Sequence, residues 1–385
     1  MFLINPFFLF FMPWVVATLL YLIFPIPLIL TSYNFLLAAL IFMAFIVGYA
    51  FTAFIKKKNN DYSGKMRIRV VYFFFLIWLL GTLAEIYFAS GLPLIWLYQN
   101  SDKTYFDFGI PSLHGLLNSL SLTLICFFVV DIFEQSKWRS LNLAFIFAII
   151  SMYILFISRQ LIVSAVIESF VIVIYLCSRK KIFRYRHVFY VALSSLVVIV
   201  GFGVIGDARS SDFYQTIGLN DVNPLIPSGF IWFYIYMVTP LNNLFYNVSY
   251  DSYLLVENAS AFFYSILPTV VKVAMFDVDV ENRWAQDFLQ TGLLPNTSFN
   301  VSTALIQAYL DAGLYGIWLN VASLGFLAGI FYKRISNIFS LMIYAVVGQC
   351  LLLSIFYNMI IYPPVLFQFV WIYIFYNAGV MCKRC

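Results

Sequence analysis

Apolar residues along this chain neither alternate nor recur at a helical period. They run on continuously and are broken at intervals by clusters of Lys, Arg, Asp, Asn and Pro. Ten runs approach the length of about 20 mostly apolar residues that a membrane-spanning helix needs: 7–24, 34–55, 70–88, 115–133, 141–157, 161–177, 188–205, 305–331, 338–357 and 364–381. Two weaker runs, 230–248 and 260–275, lie between the seventh and the eighth. Backbone groups in lipid must be satisfied within their own segment, and these runs are far too long for barrel strands. The pattern therefore predicts an all-α polytopic integral membrane protein, a single membrane domain over 1–385. It has about ten transmembrane helices, or twelve if both weaker runs cross. No basic region precedes the first run and no small-residue cleavage site follows it, so it is read as an uncleaved helix.

Composition agrees. The chain is 63% hydrophobic and 10% charged, where soluble domains keep roughly a quarter of their residues charged. No internal repeat or linker interrupts it, and no soluble domain is visible. Of its 22 basic residues, most fall in alternate connections. Lys56, Lys57, Lys58, Lys65, Arg67 and Arg69 follow the second run, Lys137 and Arg139 the fourth, and Arg179, Lys180, Lys181, Arg184 and Arg186 the sixth. Lys333 and Arg334 follow the eighth, and Lys383 and Arg384 the tenth. The positive-inside rule makes that side, with both termini, cytoplasmic. The net charge of +5 is thus mostly topology, and no nucleic-acid partner is expected.

The same rule bears on the weaker runs. If both crossed, 249–259 would be a cytoplasmic loop with Asp251 and Glu257 and no Lys or Arg. The run 230–248 also carries Pro240, Asn242, Asn243 and Asn247, which are costly against lipid. Both are read as in-plane or re-entrant segments of one large external loop, 207–304, with a first external loop at 89–114. No cysteine lies in either loop, so no disulfide is expected there. The Cys382–Cys385 pair alone is weak support for a metal.

Polar groups of chemical interest gather on the external side. Arg159 sits in a connection of almost no length, against the charge rule. It is either a snorkelling lipid contact or an anion-binding group, since guanidinium forks onto phosphate oxygens. Arg209, two positions after Asp207, is either an anion-binding group or half of a weak surface ion pair, and Arg283 is a third candidate. His114 opens the fourth run and is the only external histidine; it is either a structural histidine or a proton acceptor at the membrane boundary. Glu85, near the outer end of the third run, is the competing base. Glu168 lies deeper and is expected to have a buried structural partner. Asp277, Asp279 and Glu281 alternate, an arrangement that binds divalent cations but is also common on exposed loops. No metal and no cofactor is expected.

The chain resembles the Wzy-type O-antigen (oligosaccharide repeat-unit) polymerases. The resemblance rests on six stretches in order: Glu85-Ile-Tyr-Phe-Ala-Ser-Gly-Leu-Pro93, Phe108-Gly-Ile-Pro-Ser-Leu-His114-Gly, Ser158-Arg159-Gln, Gly206-Asp-Ala-Arg209-Ser, Pro240-Leu-Asn-Asn243, and Tyr309-Leu-Asp311-Ala-Gly-Leu-Tyr-Gly316. Some family members carry an arginine, ten residues and then a glycine in two external loops. Here Phe170, Asn220 and Leu294 stand where that glycine would follow Arg159, Arg209 and Arg283, so that loop pattern does not carry over.

The resemblance implies glycosyl transfer at the outer leaflet of a bacterial inner membrane, with a periplasmic active face. Undecaprenyl diphosphate-linked oligosaccharides are both donor and acceptor, and a chain-length regulator and a flippase are implied partners. It implies Arg159, Arg209 and Arg283 as diphosphate-binding groups, His114 or Glu85 as base, and Asp311 as an orienting carboxylate. Trp96, Tyr98, Trp232 and Tyr234 are either sugar-stacking rings or interfacial anchors. Two other readings stay open: an O-antigen ligase that transfers the lipid-linked glycan to lipid A-core, and a flippase or transporter of such lipids. A transporter is expected to show related halves and a polar path through mid-bilayer.

Overall fold

The computed structural model describes residues 2–23, 30–57, 64–99, 101–134, 137–180, 203, 228–255, 266–267, 271, 274–275, 292–296, 299–379 and 381–383. Its helices are α1 (Pro6–Ile23), α2 (Phe35–Phe51), α3 (Ile68–Ala89), α4 (Pro93–Tyr98), α5 (Leu113–Phe133), α6 (Arg139–Leu155) and α7 (Arg159–Arg179). They continue as α8 (Ser228–Ser249), α9 (Ile306–Lys333), α10 (Ile338–Leu352) and α11 (Pro363–Asn377). Six of these, α1, α2, α3, α5, α7 and α9, are long and apolar enough to cross a membrane. The chain is a multi-pass membrane protein whose described residues are all-helical apart from one short strand pair, β1 (Gly64–Met66) with β2 (Met381–Lys383). Every apolar run predicted from the sequence coincides with a helix, except 188–205 and 260–275, most of which lie outside the described residues.

Local chemistry sets the helix ends. Asn34 and Asn337 cap α2 and α10 by accepting from the N–H groups of Leu37 (2.9 Å) and Ser340 (2.8 Å). α3 stops where Ser90 turns left-handed, and Pro93 then opens α4. The predicted run 338–357 ends sooner, at Leu352, and turns fill the stretch up to Tyr362 before Pro363 opens α11. The run 305–331 is broken near its start. Ala312 and Gly313 leave helical geometry, which separates Ile306–Asp311 from the long remainder of α9.

α5 is the axis of the bundle, packed against α3, α6, α7 and α11, with every residue from Leu117 to Asp131 buried. α7 and α10 join this group to a second one built from α1, α2 and α9. α2 and α9 press backbone to backbone. A side-chain carbon at Gly48 would stand 1.8 Å from the Ala322 carbonyl oxygen, so only glycine fits.

Among the described residues, the helix ends that carry basic residues collect at one end of the bundle. β1 follows α2 and pairs with the C-terminal β2. Lys333 Nζ donates to the Thr52 carbonyl oxygen (2.5 Å), and Lys180 Nζ donates to that of Phe133 (2.7 Å). Tyr344 donates to the Ile4 carbonyl oxygen, which ties the start of α1 to the first turns of α10.

Candidate functional site

At the opposite end, α3 and α5 carry a carboxylate and a histidine 29 positions apart in sequence and in direct contact in space. Glu85 is 1% exposed and His114 is partly open, its side chain 31% exposed. Glu85 Oε2 lies 3.0 Å from His114 Nδ1, and Glu85 Oε1 accepts the Ile110 N–H at 3.1 Å. Both carboxylate oxygens are thus engaged, and the ring nitrogen left clear of Glu85 is Nε2. Gly109 makes this geometry possible: its φ is +95°, and a side-chain carbon there would come within 2.7 Å of the His114 ring. Phe108 and Phe156 meet the imidazole edge-on, with ring centroids at 5.5 and 5.7 Å.

Phe156 leads directly into the connection that presents Arg159. Ile157 adopts a positive φ of 57°, and α7 then starts at Arg159 itself. Three residues of chain reach at most about 11 Å, so the Arg159 backbone enters α7 at the same end of the bundle as His114, which Phe156 touches. The Arg159 guanidinium carbon lies 5.5 Å from the Tyr236 ring centroid and 6.0 Å from that of Trp232, both on α8. This is cation–π range, and two aromatic faces hold the charge at the bundle end. The sequence singled out Arg159 and Trp232; Tyr236 was missed, because one tyrosine in an aromatic run carries no signal of its own.

α8 lies across this same end. Asn242 Oδ1 accepts from Tyr21 Oη (2.9 Å) and the Thr31 N–H (2.7 Å), at the exit of α1. Asn243 Nδ2 donates to the carbonyl oxygens of Phe299 and Val301, both at 2.7 Å. Asn247 exchanges two hydrogen bonds of 2.8 Å with the Leu293 backbone, as a strand partner would. Tyr236 meets Phe356 in the turn after α10, and Tyr309 at the start of α9 donates to the Asn247 carbonyl oxygen (3.3 Å). From Trp232 to Asn247, these partners are helix ends and connections at the end opposite the basic one.

The other expected site residues fall out differently. Asp311 is exposed next to the break in α9, and that helix packs on α2, α10 and the turn Ser252–Leu255. Arg209, Arg283 and the acidic run at 277–281 lie outside the described residues. Among the four aromatics expected to stack on sugars or anchor at the interface, Trp96, Trp232 and Tyr234 are buried, and only Tyr98 presents an open ring. Trp96 lies under Lys103 Nζ, 5.2 Å from its ring centroid, and serves the packing of the 89–114 loop. Glu168 has the buried partners expected of it. Gln368 Nε2 donates to its Oε1 at 2.7 Å and Cys126 Sγ to its Oε2 at 3.2 Å.

Chemically, the arrangement offers a histidine oriented by a buried carboxylate, with a guanidinium held between aromatic rings at the same end of the bundle. It suits proton removal from a hydroxyl next to an anionic group. No protein-family model, no curated protein and no solved structure matches the chain.

Proposed function

We propose that this protein is a glycosyltransferase that polymerises polyprenyl diphosphate-linked oligosaccharide repeat units at the outer face of a bacterial inner membrane. The observation that carries the reading is the Glu85–His114 pair at the same bundle end as Arg159, opposite the basic connections. Ten spans with both termini cytoplasmic fit this arrangement. Helix ends tied together by Lys333 and Lys180 form the cytoplasmic face, and α8 lies in the outer interface as part of the loop 207–304.

In this reading, a hydroxyl at the non-reducing end of a fresh lipid-linked repeat attacks the anomeric carbon of the growing chain. His114 Nε2 takes the hydroxyl proton, and Glu85 stabilises the imidazolium through Nδ1–H. The bond from the anomeric carbon to the diphosphate oxygen breaks with its electron pair, and polyprenyl diphosphate departs. Arg159 balances the charge that grows on that leaving group, a permanent cation being suited to it. Glu85 is too buried to touch a sugar, so between the two candidate bases the geometry favours His114.

The deciding experiment is deletion of the gene in the bacterium that carries it, followed by gel analysis of surface polysaccharide. The ladder is expected to collapse to core plus one repeat and to return on complementation. Loss of every repeat from the core would overturn the polymerase reading in favour of ligase or flippase.

A further inference from the structure

α7 carries polar residues at Gln160, Ser164 and Glu168. Four-residue spacing aligns them on one face, descending from the Arg159 end toward mid-helix. Each faces the α10–α11 hairpin. Gln160 Nε2 meets Met359 Sδ at 3.2 Å, Gln349 Nε2 donates to Ser164 Oγ at 2.7 Å, and Gln368 Nε2 donates to Glu168 Oε1 at 2.7 Å. Ser164, Glu168, Gln349 and Gln368 are all 0% exposed.

The foot of this ladder is electrostatically incomplete. Among the described residues no Lys, Arg or His pairs with Glu168, whose side-chain partners are Gln368 and Cys126. The side-chain carbonyl oxygens of Gln349 and Gln368 are buried without a hydrogen-bond partner. Both glutamines turn their donors onto α7, and covalent geometry keeps each bare acceptor next to its own amide nitrogen. A buried carboxylate and two bare carbonyl oxygens are each costly in an apolar interior.

We propose that this cluster binds one alkali-metal cation, Na⁺ or K⁺, through the Glu168 carboxylate, the two glutamine carbonyl oxygens and the free lone pair of Ser164 Oγ. Hard oxygen donors select a hard cation. One carboxylate balances a single positive charge, whereas a divalent ion would leave net charge buried. A proton would also neutralise Glu168, but a carboxylic acid supplies one O–H and two carbonyl oxygens await partners. A water molecule would serve the carbonyls and leave the charge uncompensated. The inference does not depend on the glycosyl-transfer reading.

The test uses the full-length protein in detergent, with choline chloride replacing alkali salts. Equilibrium binding of radioactive sodium is expected to saturate at one ion per chain, and thermal stability to rise with Na⁺ or K⁺ toward a plateau. Glu168→Gln keeps the shape and removes the charge, and should abolish both effects. Gln349→Met keeps volume and removes one ligand oxygen, and should weaken binding at least about tenfold while the protein stays folded. Wild-type protein with no saturable alkali-cation site, or with stability that follows pH and ignores these ions, overturns the proposal. So does Glu168→Gln protein that binds sodium as the wild type does.

Discussion

Glu85→Gln is the most informative single change, because the structure dictates what it does. The carboxylate receives the Ile110 N–H on one oxygen and faces His114 Nδ1 with the other, at 3.1 and 3.0 Å. Glutamine has one oxygen and one NH₂ for these two places. If its oxygen stays with Ile110, its NH₂ points at Nδ1, which must then be an acceptor. The ring proton moves to Nε2 and the base is blocked. If the amide flips, NH₂ faces the Ile110 N–H in a buried site, at a cost of about 1–3 kcal/mol. The active tautomer therefore falls by roughly 5- to 150-fold, and the imidazolium also loses its carboxylate. Turnover of Glu85→Gln should drop by about 10- to 1,000-fold, and that of His114→Ala by about 10²–10⁴, the usual worth of a positioned base. Because Glu85 acts through His114, the double variant should be no slower than His114→Ala alone. The assay is a single-turnover rate with a synthetic lipid diphosphate-linked repeat in proteoliposomes, with thermal stability measured alongside. Losses that multiply in the double variant, or Glu85→Gln protein with near-normal turnover, would refute the assignment.

Arg159→Ala should cost about 2–4 kcal/mol of transition-state stabilisation, roughly 30- to 1,000-fold in rate. Arg159→Lys should recover only part, since ammonium lacks the planar fork that lies against Trp232 and Tyr236. A normal long-chain ladder from Arg159→Ala would place the diphosphate site elsewhere, with Arg209, Arg283 and Lys272 next to be tested. Asn247→Ala leaves the Leu293 backbone and Ser252 without partners and should lower stability by about 2–4 kcal/mol; unchanged thermal unfolding would show that α8 does not depend on that clamp. A topology reporter at Asp251 should read external, as those at Lys58 and Arg184 read cytoplasmic; a cytoplasmic signal at Asp251 would mean that α8 crosses.

The helices were legible because lipid imposes a length and tolerates few polar residues, so an apolar run declares itself. The break at Ala312–Gly313 was not legible, since glycine is ordinary in membrane helices. Arg159 stood out because it opposes the charge rule, and His114 because it is a lone external histidine. The partners of His114 and Glu168 are long-range: Glu85 reaches His114 across 29 positions, and Gln368 reaches Glu168 across 200. A single sequence records no such pairing. Nor does hydropathy separate a helix that crosses from one that lies flat. The three asparagines of α8 were read as too costly to face lipid, and in the structure each holds neighbouring chain at one end of the bundle.

The depth profile of α7 bears on the transporter alternative. A carrier of charged lipid head groups needs polar groups along a path that reaches both sides of the membrane. The line Gln160, Ser164, Glu168 starts such a path at the Arg159 end. Continued by the same step of four, it reaches Ile172 and Leu176, both 0% exposed. Val171 closes in beside them, within 3.2 Å of where a side-chain carbon on Gly348 would sit. The ladder thus stops in a packed apolar plug before the basic end. Glu168 is a terminus, held by Gln368 and Cys126, and the groups suited to chemistry stay at the Arg159 end of the bundle. That division, a buried polar cluster at depth and a partly open histidine at the bundle end, suits an enzyme working on one face of the membrane better than a carrier working across it.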